Sequence, residues 1–188
     1  MNVTNAAALG HAERPRLATV WLDGCSGCHM SLLDLDVRLI ELASQCDVVY
    51  GPLVDAKRVP DNIDLTLVEG AVSSDHDWHL VIELRARTKL LVAFGDCAVT
   101  GNVPSMRNIV PLSAIYRQVF PATAKIGGAC PTVGVPRLLD RVLPVHQVVS
   151  VDLFLPGCPP AAETIYQVLS DVLAGRTPEP LKLTRFGA

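Results

Sequence analysis

Residues 16–30, RLATVWLDGCSGCHM, carry the first decision about the fold. The run from Arg16 to Leu22 is apolar and rich in residues that favour strands. It stops at Gly24, and a helix-like pattern follows from His29 to Gln45. Met30, Leu33, Val37 and Ile40 recur there at spacings of three and four, which predicts one amphipathic helix with those residues on its apolar side. Strand, glycine, helix is the opening of a βαβ unit. Cys25 and Cys28 sit at its turn, in a C-x-x-C.

The pattern repeats along the chain. DVVYGPL (47–53), IDLTLVEG (63–70), KLLVAFGD (89–96) and VVSVDLFLPG (148–157) read as further strands. DHDWHLVIELRART (75–88) reads as a helix with acidic residues at its dipole-favoured start. PPAAETIYQVLSDVLAG (159–175) reads as a last helix, with Ile165, Val168, Leu169, Val172 and Leu173 on its apolar side. Its prolines are expected in the first turn and Gly175 at the C-terminal cap. Residues 98–147 are rich in glycine and proline and read as long functional loops with short helices. Continuously apolar strands that alternate with helices predict a parallel sheet covered on both faces. The expectation is α/β: one doubly wound, flavodoxin-like domain over 16–188, mostly parallel, with a flexible tail over 1–15.

Composition narrows the function. The 188 residues carry a net charge of −3 and a pI near 5.9, so there is no electrostatic footprint for nucleic acid. No apolar run approaches the ~20 residues of a membrane-spanning helix. No secretory signal is recognised at the start, so the expected location is the cytoplasm. The hydrophobic fraction is 49% and the mean hydropathy +0.33, which suggests that part of the surface is covered by a partner.

Six cysteines in such a chain argue for metal binding or catalysis rather than disulfides. Cys25 and Cys28 follow the first strand, Cys97 the fourth and Cys158 the fifth. An open parallel sheet binds ligands at the carboxyl ends of its strands, so the fold would deliver all four thiols to one edge. Four thiolates suit a [4Fe–4S] cluster, and Gly24, Gly27 and Gly157 would let backbone approach it closely. The dipole of the proline-started helix would favour a Cys158 thiolate. A Cys₄ zinc site uses the same ligands, although it usually pairs two C-x-x-C knuckles. A thioredoxin-like pair would leave Cys97 and Cys158 idle. Cys46 ends a helix away from the edge and reads as a core or surface thiol. Cys130, in a glycine-rich loop, is an alternative to Cys97.

With these residues assembled, the chain resembles the small subunit of [NiFe] hydrogenases. The motifs are GCSGC (24–28), GDC (95–97) and PGCPP (156–160). The stretches at 21–36 (WLDGCSGCHMSLLDLD), 61–72 (DNIDLTLVEGAV) and 94–108 (FGDCAVTGNVPSMRN) resemble the short small subunit of soluble NAD-reducing hydrogenases. The resemblance implies one proximal [4Fe–4S] cluster on Cys25, Cys28, Cys97 and Cys158. It implies a large partner subunit that holds the Ni–Fe centre, and diaphorase subunits with flavin, further iron–sulfur clusters and NAD. The summed reaction would be H2 + NAD+ ⇌ NADH + H+, with an electron-transfer role here. Neither a twin-arginine signal nor a domain with two more clusters is expected.

The quinone-side cluster subunit of complex I is the nearest alternative, but it has adjacent cysteines where this chain has C-x-x-C. A zinc-bound interaction module is a third reading. The chain has no G-x-G-x-x-G and no P-loop motif, so NAD is assigned to another subunit. FMN at the switch-point loops is a weaker expectation, because no flavin signature is present. Glu69 reads as a loop carboxylate that bonds nearby N–H groups, or as a proton relay. His29 reads as a helix-start neighbour of Cys28, and Asp96 as a turn cap. Asp75, His76, Asp77 and His79 read as a solvated face.

Overall fold

A computed structural model describes residues 14–120 and 131–183. Among the described residues, seven strands run in chain order: β1 Arg16–Trp21, β2 Asp47–Tyr50, β3 Ile63–Glu69, β4 Val72–Ser74, β5 Thr88–Phe94, β6 Leu138–Leu143 and β7 Leu153–Leu155. Five of them form one parallel sheet in the order β2-β1-β3-β5-β7. Counted within the sheet alone, that is the 2-1-3-4-5 order of flavodoxin-like domains. The order reverses direction between β1 and β3, which makes their carboxyl ends the switch point.

Register explains why the strand ends converge. Trp21 pairs with Glu69, Glu69 with Phe94, and Phe94 with Leu155. These four residues form one row, and the loops that follow them all leave from that row.

Helices cover both faces. Helices α1 (Gly27–Leu33), α2 (Val37–Gln45) and α6 (Ala162–Leu173) pack over Leu65, Leu67, Leu90, Val92 and Phe94. Helix α3 (Asp75–Arg87) packs through Val81 and Leu84 over Val68, Leu91 and Ala93 on the other face. The alternation along β5 is the period of two of a strand, with both sides buried. Ser74 caps α3: its Oγ accepts from Asp77 N at 3.2 Å, and Asp77 Oδ2 accepts from Ser74 N at 2.9 Å. Asp75 joins in through Arg137, whose N donates to Asp75 Oδ1 at 3.0 Å. Asp77 is therefore a cap residue and Asp75 ties the helix start to Arg137, while His76 and His79 are exposed as expected.

Three details differ from the sequence expectation. The first helix is two helices, broken at 34–36, where Asp36 takes φ 53°. Asp favours such positions because its short side chain competes with helical backbone. The face also differs: Val37 is 71% and Ile40 75% exposed, and Met30 and Leu33 are exposed too, while Leu32, Leu35 and Leu42 are buried. Pro159 and Pro160 do not start α6; they precede its cap, Ala161. Cys158 is thus too far from the helix start for the dipole argument. Gly175, at φ 70°, does follow the cap as expected.

Residues 98–120 contain the end of α4 (Asp96–Thr100), a 3₁₀ helix at Val103–Ile109 and α5 (Leu112–Val119). Strand β6 lies beyond them and pairs antiparallel with β4, a pairing the sequence reading did not anticipate. Cys130 and residues 1–13 of the expected tail lie outside the described residues.

Candidate iron–sulfur site

Cys25 lies in the loop between β1 and α1, and Cys28 in the first turn of α1. The loop is tied to the one after β3: Asp23 N donates to Ala71 O at 3.1 Å, and Ala71 N to Asp23 O at 2.7 Å. Glu69, the last residue of β3, is 3% exposed. Its Oε1 accepts from Cys28 N at 3.1 Å and its Oε2 from His29 N at 3.0 Å. First-turn N–H groups have no partner within a helix, and this carboxylate supplies one. The same Oε2 bonds His29 Nδ1. Glu69 therefore plays the backbone-bonding role. His29 is a buried neighbour, edge-on to Trp21 and Phe94, and its Nε2 has no hydrogen-bond partner among the described residues.

Cys97 lies in the first turn of α4, behind Gly95. Gly95 sits at φ 82°, ψ 164°, a region essentially reserved for glycine. A Cβ there would overlap Cys28 Sγ, so this glycine lets the Cys97 turn pass beside the Cys28 thiol. Asp96 lashes the turn to the Cys158 loop. Its N donates to Gly157 O at 2.9 Å, and its Oδ1 accepts from Gly157 N at 2.7 Å. Ser31 Oγ donates to Pro160 O at 2.6 Å and closes the ring between α1 and the Cys158 loop. Asn102 Nδ2 donates to Cys158 Sγ at 3.3 Å.

Electrostatics link the four thiols. Burial first, then the charge of Glu69, then those of Cys97, Cys25 and Cys158 push the Cys28 thiol far above its ordinary value. Burial, then Cys158 and Cys25, push Cys97 up to about 11, against a hydrogen bond from the Val103 backbone. Cys46 feels none of them. It is buried, also raised by burial, and its Sγ lies 3.4 Å from Leu42 O. Among the described residues, no three His, Cys, Asp or Glu side chains are arranged to hold a single metal ion. Cys28 is buried, Cys97 half-buried, and Cys25 and Cys158 exposed.

Gly95, Asp96 as a lash and Asn102 were not singled out for these roles by the sequence. The only signal for them was position: all stand beside a cysteine motif or in the glycine turn that follows one.

The model of the family described as NADH ubiquinone oxidoreductase, 20 Kd subunit, matches residues 25–172, which include all four cysteines. The chain belongs to that family. Within the 20 Kd subunit family it is similar to NAD-reducing hydrogenase HoxS subunit delta of Cupriavidus necator, at 36% identity over 91% of this chain and 84% of that one. It is also 37% identical to a subunit of the F420-non-reducing hydrogenase vhu of Methanococcus voltae, over 89% of this chain. It spans only 59% of that longer protein. Among solved structures, a chain of an NAD+-reducing [NiFe]-hydrogenase in the H2-reduced state superposes with a TM-score of 0.87 at 39% identity. That match covers 93% of this chain and 99% of the other. Among the described residues, no helix is long and apolar enough to cross a membrane.

Proposed function

We propose that this chain is the electron-transfer small subunit of a cytoplasmic NAD-reducing [NiFe] hydrogenase, holding one [4Fe–4S] cluster on Cys25, Cys28, Cys97 and Cys158. One observation carries the reading. Three loops leave one row of strand ends and bring Cys25, Cys97 and Cys158 close enough to act on the buried Cys28 thiol. A Cys₄ zinc site usually pairs two C-x-x-C knuckles, and this chain has one. Glycine at 95, where a Cβ would meet the Cys28 thiol, leaves the space a four-thiolate iron–sulfur cluster needs.

Bound there, the cluster supplies one-electron transfer. The chain's own residues fix its seat. Glu69 holds the backbone of Cys28, and Asp96 joins the Cys97 and Cys158 loops. The exposed thiols Cys25 and Cys158 mark the side from which a partner would approach. Exposed Met30, Val103, Met106 and Ile109, near the ligand loops in sequence, suit an apolar contact with the large subunit. That subunit would carry the Ni–Fe centre, and a diaphorase pair would carry flavin, further clusters and NAD. The cavity of about 330 Å³ beside His29 is lined mostly by apolar side chains such as Leu32, Leu42, Val48 and Leu53.

The test is purification of the chain with its native partners and analysis of metals. Nickel and iron in one complex that reduces NAD+ with H2 is the expected result. A nickel-free complex would favour the quinone-side reading, and zinc alone the interaction module.

A further inference from the structure

We infer that Asn102 sets the reduction potential of the cluster by donating a hydrogen bond to the Cys158 thiolate; this rests on the four-cysteine reading above. Its carboxamide Nδ2 lies 3.3 Å from Cys158 Sγ. An Sγ that ligates iron has no proton to donate, so the amide must be the donor.

The turn that presents this donor is fixed on both sides. Gly101 at φ 86° and Asn102 at φ 29° reverse the chain after α4. Thr100 Oγ1 accepts from Asn102 N at 3.3 Å, and Asn102 O accepts from Ser105 N at 3.2 Å and Ser105 Oγ at 2.8 Å. These bonds hold the Asn102 backbone in the position from which its carboxamide reaches Cys158.

Hydrogen bonds to cluster sulfur are one of the levers on potential. A donor strengthens its bond as negative charge on the acceptor grows, and the reduced cluster carries one more electron. Asn102 therefore favours the reduced form. Losing the donor should lower the ratio of reduced to oxidised cluster by about fivefold to tenfold at fixed ambient potential. For a one-electron couple that is a midpoint lower by about 40–60 mV.

A purely structural Asn102 must be told apart, because asparagine is also favoured at positive φ. Asn102→Gly tolerates the same backbone and removes the donor. Asn102→Asp keeps shape and backbone preference, removes the donor and adds charge. The full chain is reconstituted with iron and sulfide, and each variant is titrated potentiometrically by EPR, with iron and sulfide content measured alongside. The expected result is unchanged content, a lower midpoint for Asn102→Gly and a lower one still for Asn102→Asp. Equal midpoints in all three proteins would overturn the inference and leave the cluster reading standing. Loss of the cluster from both variants would make Asn102 a structural clamp and overturn it as well. No iron–sulfur cluster in the wild type would overturn the reading beneath it.

Discussion

Gly95→Ala is the sharpest single perturbation of this site. Gly95 sits at φ 82°, ψ 164°, where a residue with a Cβ costs about 1–3 kcal/mol. The added methyl would also overlap Cys28 Sγ, a buried atom. Cys28 cannot simply step aside, because its backbone N–H is held by Glu69 at 3.1 Å. Overpacking of this kind costs a further ~1–3 kcal/mol. The sum is roughly 2–6 kcal/mol, a large part of the ~5–15 kcal/mol that stabilises a domain. The relief available is a turn of the Cys28 thiol away from its seat, so cluster content should fall with stability. Urea unfolding of the full chain gives the first quantity, and iron and sulfide after reconstitution give the second. Gly134→Ala is the control: it has φ 75° but nothing within 4 Å of its added Cβ. It should cost only about 1–2 kcal/mol for the positive φ and leave iron binding intact. If Gly95→Ala behaved like Gly134→Ala in both assays, the proposed contact between the Cys97 turn and Cys28 would be wrong.

Further outcomes follow from the same structure. Glu69→Ala leaves two buried backbone N–H groups without their acceptor and should cost about 2–4 kcal/mol in urea unfolding. Leu84→Ala, at a fully buried core position, should cost about 2–5 kcal/mol, whereas Ile40→Ser at 75% exposure should change stability by no more than ~0.5 kcal/mol in the same measurement. Burial raises the Cys46 thiol above its ordinary 9.0, with Arg14 pulling partly back. A thiol raised on folding is protonated more readily in the folded state. Its contribution is whole below about pH 9 and is lost as pH climbs above it. Cys46→Ala should therefore flatten the alkaline fall in stability in urea melts.

What was legible in the sequence was what repeats locally. Strands β1, β3 and β5 announced themselves as apolar runs ending in glycine, and their order of appearance with helices implied a parallel sheet. The convergence of Cys25, Cys28, Cys97 and Cys158 followed from that topology without any contact being known. The face of the first helical segment was not legible. Apolar residues lie on both its sides, and periodicity cannot say which side meets the sheet; the break at Asp36 lets Leu35 and Leu42 turn inward instead. The pairing of β4 with β6 joins residues far apart in the chain, and β4 is only three residues long. Glu69, Asp96 and Asn102 act across loops that meet only in the folded molecule, so no spacing in the sequence could show their partners.

Cys25, Cys28, Cys97 and Cys158 are proposed to hold one iron–sulfur cluster between them. The most direct measurement is the reduced-state EPR spectrum, with iron and sulfide content, of the reconstituted full chain and of its single cysteine variants. The expected cluster signal is lost or altered by Cys25→Ala, Cys28→Ala, Cys97→Ala and Cys158→Ala, and unchanged by Cys46→Ala and Cys130→Ala. A signal indifferent to Cys97→Ala but lost in Cys130→Ala, or a chain that takes up zinc and no iron, would contradict it.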